Sequence, residues 1–261
     1  MILERKKITD LIKRGAIFYV SHSGGKDSQA MYAALTQLVP DHQIVVVHAD
    51  LGVVEWDGVQ DHIKATIHHS LNVVQAAKTF FDMVEHRART RPDVPPWPSS
   101  STRQCTSDLK RGLIYKFIRA SMKARGATLA LNCTGIRAQE SSGRARKEPL
   151  RLNAVLSKAG REVYEYMPIH HLTSAHVFAI IERAGQVPFH AYRVHRNRLG
   201  NDRLSCVFCI MGSANDLRHG ARCRPDLYQK YLELEERTGW TMFNGKSLKQ
   251  RVEGTTARKA A

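Results

Sequence analysis

No apolar run in this 261-residue chain approaches the roughly 18 residues that cross a bilayer as a helix. The start, Met1-Ile2-Leu3-Glu4-Arg5-Lys6-Lys7, lacks the apolar stretch of a secretory signal. These absences predict a cytoplasmic protein with no membrane partner. Acidic residues are in short supply, 24 against 40 Lys and Arg, so the formal net charge is +16. An excess of that size favours polyanions through counterion release. A nucleic acid, DNA or tRNA, is therefore an expected partner, although a basic surface also serves solubility and any nucleotide pocket needs cations. Cysteines are few: Cys105, Cys133, Cys206, Cys209 and Cys223. In a cytosolic chain a Cys-x-x-Cys more often binds metal or does redox chemistry than forms a structural disulfide. What remains is ordinary for a globular protein, 43% hydrophobic and 25% charged, and long enough for one sizeable core plus a small appended unit.

The chain is organised around Tyr19-Val20-Ser21-His22-Ser23-Gly24-Gly25-Lys26-Asp27-Ser28. The apolar run Ala16 to Val20 reads as a short buried strand, and Gln29 to Leu38 as a helix. Strand, glycine-rich turn and helix N-terminus make an anion site: the glycines let backbone approach a phosphate, and the first helical N–H groups point at it. Lys26 and the hydroxyls of Ser21, Ser23 and Ser28 add donors. The spacing is neither Gly-x4-Gly-Lys-Ser/Thr nor Gly-x-Gly-x-x-Gly. The Ser-Gly-Gly-Lys-Asp-Ser run resembles the PP-loop of the adenine nucleotide α-hydrolase superfamily, which includes ATP pyrophosphatases, tRNA thiolation enzymes and phosphoadenosine phosphosulfate (PAPS) reductases.

A β-branched run, Gln43 to His48, predicts a second strand of a parallel sheet covered on both faces. It ends at Asp50, and ligands of such sheets sit beyond the carboxyl ends of strands. A helix from about Val59 to Leu71 and a strand over Val73–Ala76 continue the β-α-β rhythm. Residues 92–104 form a proline-rich loop around Trp97, ending in Arg103-Gln104-Cys105. The helix beyond it, to about Arg125, carries Lys110, Arg111, Lys116, Arg119, Lys123 and Arg125, either a phosphate track or a solvated face. The strand Thr128 to Thr134 holds Cys133, read as a small core residue, and leads into Gly135-Ile136-Arg137-Ala138-Gln139-Glu140-Ser141-Ser142-Gly143-Arg144. Two arginines after a strand end and a glycine turn can grip phosphate or sulfate.

These segments resemble the PAPS reductase family: His48-x-Asp50-x-Gly52 after the second strand, Arg103-x-Cys105 with Leu109-Lys110, Gly135-x-Arg137-x-x-Glu140-Ser141-x-x-Arg144, and Gly185-x-Val187-Pro188-x-His190 with Tyr192. The resemblance spans roughly residues 15 to 240. It implies an α/β fold, a Rossmann-like parallel sheet with helices on both faces, and a small C-terminal cysteine-cluster region. In it Ser21, Ser23, Gly24, Gly25, Lys26, Asp27 and Ser28 hold the phosphates, Asp50 lies near the adenosine, and Gly135, Glu140 and Ser141 complete the site. Arg137 and Arg144 clamp the distal phosphate or sulfate. Lys26, Asp27, Arg137 and Arg144 are the expected catalytic residues.

Cys206 and Cys209 are followed by Cys223, with Cys105 as the expected fourth ligand and Cys133 the substitute. Four thiolates suit tetrahedral Zn²⁺ or a [4Fe–4S] cluster, and the resemblance to iron–sulfur members, including the DNA phosphorothioation ATPase, favours the cluster. The reductases carry a Cys-Cys pair where Cys105 stands alone.

Residues 144–161 are expected as a basic lid and Glu162–Met167 as an edge strand. A helix is expected over Ala175–Ala184 behind Thr173 or Ser174, and another over 225–239. The chain from Gly245 is expected to fray or to wrap a polyanion. The expected domains are 1–190, the PP-loop nucleotide-binding domain, and 191–261, the cysteine-cluster and helical region. Reductases of this family attack sulfur with a thiolate from a Glu-Cys-Gly-x-His tail, and Arg251 to Ala261 contain no cysteine. The favoured expectation is thus cleavage of ATP, with Mg²⁺, for sulfur transfer to nucleic acid, sulfur coming from a donor protein such as a cysteine desulfurase. A reductase acting on PAPS or APS, and an ATP-binding regulator without turnover, are the alternatives; a homodimer is compatible with any of them.

Overall fold

The computed structural model describes residues 4–158, 160–192 and 200–254. In chain order the elements are α1 (Arg5–Lys13), β1 (Ile17–Ser21), α2 (Lys26–Leu35), β2 (Ile44–Asp50), α3 (Val59–Thr66), β3 (Leu71–Gln75), α4 (Phe80–Thr90), α5 (Gln104–Thr106), α6 (Gly112–Arg125), β4 (Leu129–Cys133), α7 (Ser142–Ala145), β5 (Leu150–Leu152), β6 (Glu162–Tyr166), α8 (Ser174–Arg183), α9 (Ala214–Cys223), α10 (Pro225–Thr238) and α11 (Leu248–Glu253). A wider π-type turn, Ser107–Arg111, joins α5 to α6. None of the described helices is long and apolar enough to cross a membrane.

The strands form one six-stranded sheet in the order β3-β2-β1-β4-β6-β5. β1 runs parallel to β2 and β4, β4 runs parallel to β6, and β5 is antiparallel to β6. Side-chain alternation splits each central strand between two cores, as a period of two requires. Phe18 and Val20 of β1, with Leu129, Leu131 and Cys133 of β4, pack with Ile8 and Leu11 of α1, Met31 and Leu35 of α2, and Val177 and Ile181 of α8. Ile17, Tyr19, Ala130 and Val163 face the other way, onto Ile118 and Met122 of α6. This two-sided burial is why β1 and β4 read as continuous apolar runs. The fold is the expected α/β one, a mostly parallel sheet with helices on both faces.

Several elements depart from the sequence expectation. β6 is not the edge strand: Leu150–Leu152, within the stretch expected as a lid, pairs with it and takes the edge. α3 ends at Thr66, short of Leu71. α4 and α9, which composition alone did not announce, each begin with a capping box, at Thr79 with Asp82 and at Ser213 with Asp216. Past Gly245 the chain forms α11, again behind a capping box, Ser247 with Gln250. The end of the expected tail, residues 255–261, lies outside the described residues.

The chain divides into two compact units. The first comprises Met1–Ala49, Gly58–Val74 and Gly112–Phe189, and the second Asp50–Asp57, Gln75–Arg111 and His190–Ala261. One division between the units falls between Phe189 and His190, and the second unit also takes 50–57 and 75–111. Within it, Phe80 and Trp97 stack on Tyr231, and Phe208 meets the same ring edge-on at 5.1 Å. The indole N–H of Trp97 donates to the carbonyl of Trp240 at 2.9 Å. The proline-rich loop is thus anchored by the aromatic residue at its centre. Glu235 of α10 accepts the backbone N–H groups of Met242 and Leu248, which holds the C-terminal segment and starts α11.

Candidate functional site

In the first unit, β1 ends at Ser21 and α2 begins at Lys26, with Gly24 at φ +72° between them. That left-handed conformation is the reason glycine stands there. α2 has Gly25 at its N-cap and no side chain capping it. The loop is closed internally. Ser28 Oγ donates to the Gly25 carbonyl at 2.8 Å and accepts the Ser23 N–H at 3.1 Å; Ser23 Oγ lies 3.3 Å from the same oxygen. Two of the three expected phosphate-holding serines therefore shape the loop. Ser21 Oγ bonds Asn132 of β4 at 3.1 Å, and Asn132 in turn donates to Glu165 of β6.

His22 was not singled out in the sequence, and the structure gives it a clear part. Its Nδ1 accepts the Gly24 N–H at 3.1 Å, so the ring proton sits on Nε2. The residue is 2% exposed, and burial, with His48 and His62 nearby, pushes its pKa down to about 3. A neutral imidazole fixes the turn without adding charge beside the anion site. Its Nε2 is buried without a hydrogen-bond partner among the described residues.

The turn that follows β4 and opens the arginine motif reaches back to α2. A Cβ on Gly135 would stand 2.9 Å from the backbone carbon of Asp27 and 3.0 Å from the Ser28 nitrogen. Only glycine lets the end of β4 approach the first turn of α2 this closely. Arg137, 3% exposed, donates from Nε to Asp27 at 2.6 Å, from one terminal nitrogen to Gln139 and the Leu172 carbonyl, and from the other to Ser174. Lys26, also buried, lies 3.3 Å from the second oxygen of Asp27. The Arg137 guanidinium is thus built into the wall of the loop and is a brace for Asp27. Glu140 accepts the Arg137 N–H at 3.0 Å and pairs with the Arg144 guanidinium; Ser141 caps the turn carrying Arg144. Arg144 is the more accessible of the two arginines. His170 Nε2 donates to the Arg144 carbonyl at 2.8 Å, which gives that histidine a structural partner. The expected loop and the expected arginine motif therefore meet in one place.

Asp50 ends β2 in the second unit and accepts the Gly52 N–H at 2.7 Å. Cys133 lies in the core of the first unit, and burial raises its thiol pKa well above the ordinary value.

The other four cysteines belong to the second unit. Cys105, Cys206 and Cys209 are part-exposed, and Cys223 is exposed. Cys206 donates a hydrogen bond to Cys209, which raises the pKa of Cys206 well above that of a free thiol and lowers that of Cys209 to about 6. The Met211 N–H reaches Cys209 Sγ at 3.4 Å. Cys105 is close enough to feel the charge of Cys209, although burial is the larger cause of its raised pKa; Lys110 works in the opposite direction on all three thiols. α9 packs against this turn at Gly220, where a Cβ would meet Val207 at 2.9 Å, and Cys223 stands one turn further on. Tyr231, fully buried, lies in the field of the same three cysteines, and its hydroxyl has no hydrogen-bond partner among the described residues. Thiols, a neighbouring cation and an orphaned buried hydroxyl are the donor chemistry that a metal–thiolate group takes, but among the described residues no three of these sulfurs draw together within 4.8 Å. Sequence spacing indicated the cysteines, and the motif that joins Cys105 to Lys110 named that lysine; Tyr231 carried no signal of its place beside them.

No curated protein matches the chain. Among solved structures, the phosphoadenylyl-sulfate (PAPS) reductase of Candida auris in a phosphate complex is 10% identical, with a TM-score of 0.43 over 70% of this chain and 85% of that one. The family model of the phosphoadenosine phosphosulfate reductase domain matches residues 17–204, a span that holds the loop, the arginine motif and Cys105. The chain accordingly belongs to the phosphoadenosine phosphosulfate reductase domain family.

Proposed function

We propose that this protein binds an adenine nucleotide by its phosphates at Ser23–Ser28 and cleaves ATP between the α and β phosphates to activate an acceptor for sulfur transfer, the acceptor being nucleic acid. The observation that carries the reading is the first turn of α2, which no side chain caps, with Lys26 on it and the Asp27–Arg137 brace beneath it. Such a turn directs N–H groups and the positive end of the helix at a phosphate. An acceptor oxygen attacks the α-phosphorus, the bond to the β-phosphate oxygen breaks, and pyrophosphate leaves with the charge that these donors stabilise. Mg²⁺, when bound with the nucleotide, neutralises part of that charge. A sulfur nucleophile from a donor protein such as a cysteine desulfurase then displaces AMP from the activated carbon. Arg144, the more accessible of the two arginines, would reach a distal phosphate, while Arg137 holds Asp27. The net charge of +16 suits a nucleic-acid acceptor.

Cys105, Cys206 and Cys209, with Cys223, are the residues that would hold a [4Fe–4S] cluster or Zn²⁺. A bound cluster would supply a binding point for sulfur, and zinc would fix the thiolates. Lys110 would offset their charge, and the Tyr231 hydroxyl, unpartnered among the described residues, would be available to donate toward the bound group.

A second reading, sulfonucleotide reduction, is favoured by the family match and by the Cys209 thiolate. A thiolate would attack the sulfur of PAPS or APS, breaking its bond to the phosphate oxygen, and a second thiolate would then attack the first sulfur, releasing sulfite and leaving a disulfide for a dithiol reductant such as thioredoxin; Cys209, with its lowered pKa, and Cys206 are a pair of the chemistry those two roles need. Anaerobically purified protein, incubated with Mg²⁺, a thiol donor and ATP, APS or PAPS in turn, tests both. AMP and pyrophosphate from ATP support the first reading. Sulfite from APS or PAPS replaces it with the second, and tight ATP binding without AMP indicates a regulator.

A further inference from the structure

The first unit carries a second cluster of metal-ligating side chains, which the nucleotide chemistry does not use. α3 stops at Thr66 and the chain bends at His68 and His69 before β3. Consecutive side chains diverge in regular structure, yet here the bend brings the two imidazoles together, with ring centroids 4.3 Å apart. Both present Nε2 to one oxygen of Asp41, His68 at 3.2 Å and His69 at 3.7 Å. His69 Nε2 is also 3.2 Å from the Asp41 carbonyl. Both turn Nδ1 to one buried hydroxyl, that of Tyr32 on α2, at 3.0 Å and 2.8 Å. The three ligand atoms lie within 4.8 Å of one another.

The Tyr32 hydroxyl, which also accepts the His68 backbone N–H at 3.0 Å, holds both rings by their Nδ1 side, so both Nε2 atoms face the same carboxylate oxygen of Asp41. Two imidazole nitrogens and a carboxylate oxygen directed at one point are a cation's surroundings, whether that cation is a proton on one ring or a metal ion. The separations suit a metal: ligands about 2.0–2.1 Å from a tetrahedral ion stand about 3.3 Å apart. Nδ1 held by a hydroxyl is also the outer-shell contact that orients a metal-bound imidazole.

We propose that Asp41, His68 and His69 form a binding site for a divalent first-row transition ion, with Nε2 of each histidine and a carboxylate oxygen as ligands and Tyr32 as the outer-shell anchor. Imidazole and carboxylate donors select Zn²⁺, Ni²⁺ or Co²⁺ over alkaline-earth ions. Asp41 lies just before β2 and the histidines just before β3. β2 is parallel to β1, so the site lies at the opposite end of the strands from the loop that follows Ser21. The ion clips α2 to the two loops at that end, a structural role independent of turnover.

Co²⁺ titration of metal-depleted protein, kept without oxygen, tests this. Thiolate-bound Co²⁺ shows intense sulfur-to-metal charge transfer, and a histidine–carboxylate site shows only weak d–d bands, so the cysteines and this site are read separately. The expected result is a Co²⁺ equivalent with d–d bands alone, displaced by Zn²⁺, whose affinity falls at least ~10-fold in His68→Gln and in Asp41→Asn. Both side chains are largely exposed, so these variants keep the fold. Tyr32→Phe, which leaves all three ligands in place, should weaken binding about 10–100-fold. Identical titrations of the parent and His68→Gln proteins, or thiolate bands on every bound Co²⁺, would overturn the proposal whatever the nucleotide assays show.

Discussion

The guanidinium of Arg137 and the carboxylate of Asp27 meet at 2.6 Å although 110 residues separate them. The pair ties the loop after β4 to the first turn of α2, and it is largely out of water, with the arginine side chain 3% exposed. Removing one partner of such a pair strands the other charge. We expect Arg137→Ala to lose about 3–5 kcal/mol of stability in urea unfolding and to lose nucleotide binding with it. Arg137→Lys keeps the charge but not the fork, and should fall between. An alanine variant as stable as the parent would show that Arg137 does not brace the loop.

Gly135→Ala is expected to act on the loop without disturbing the sheet. Its Cβ would press on the backbone of Asp27 and Ser28, which cannot rotate away as a side chain could. Overpacking of this kind costs about 1–3 kcal/mol. Nucleotide affinity, measured by calorimetry, should drop about tenfold or more, with the far-ultraviolet circular dichroism unchanged. Unaltered affinity would mean that the turn tolerates displacement.

Stability should fall in acid in a way that depends on His22. Its folded pKa, about 3, is below the unfolded value of roughly 6.5. Above the unfolded value neither state holds the extra proton and the contribution is complete. Between about 6.5 and 3 the unfolded chain binds a proton that the folded protein refuses, so stability drops by roughly 1.4 kcal/mol per pH unit. His22→Asn retains an acceptor for the Gly24 N–H and should flatten that slope. An unchanged slope would assign acid sensitivity to other groups.

In metal-free protein, Cys209 should be alkylated by iodoacetamide with a midpoint near pH 6, because the hydrogen bond from Cys206 favours its thiolate. Cys206→Ala removes the donor, so the midpoint should move up toward that of an ordinary thiol. Cys206→Ser keeps a donor and should move it less. Peptide mapping by mass spectrometry identifies the modified cysteine, and a midpoint indifferent to residue 206 would refute the pairing.

Much of the first unit was legible in the residues because its signals are local. The run Ala16 to Val20, the glycines after it and the β-branched stretch to His48 each carry their own conformational preference. β1 and β2 accordingly fall within one or two residues of the expected runs, while α2, expected over Gln29–Leu38, starts and ends three residues earlier, at Lys26 and Leu35. Thr173 caps α8, and Gly239 ends α10 in the left-handed conformation, both readable from residue type alone. The fold class, the loop and the arginine motif were determined at that level.

Tertiary structure decided what depends on partners distant in the chain. Leu150–Leu152 becomes a strand only because β6 offers an unpaired edge, and a three-residue segment has no period of its own to announce it. Arg137 had the chemistry of a phosphate clamp in the sequence; its burial against Asp27, Leu172 and Ser174 makes it a brace. His68 and His69 converge because Tyr32 holds the bend that ends α3 early. Cys105 joins Cys206 and Cys209 because the second unit gathers its segments from three stretches of chain. Each of these depends on long-range packing, which local propensity does not encode.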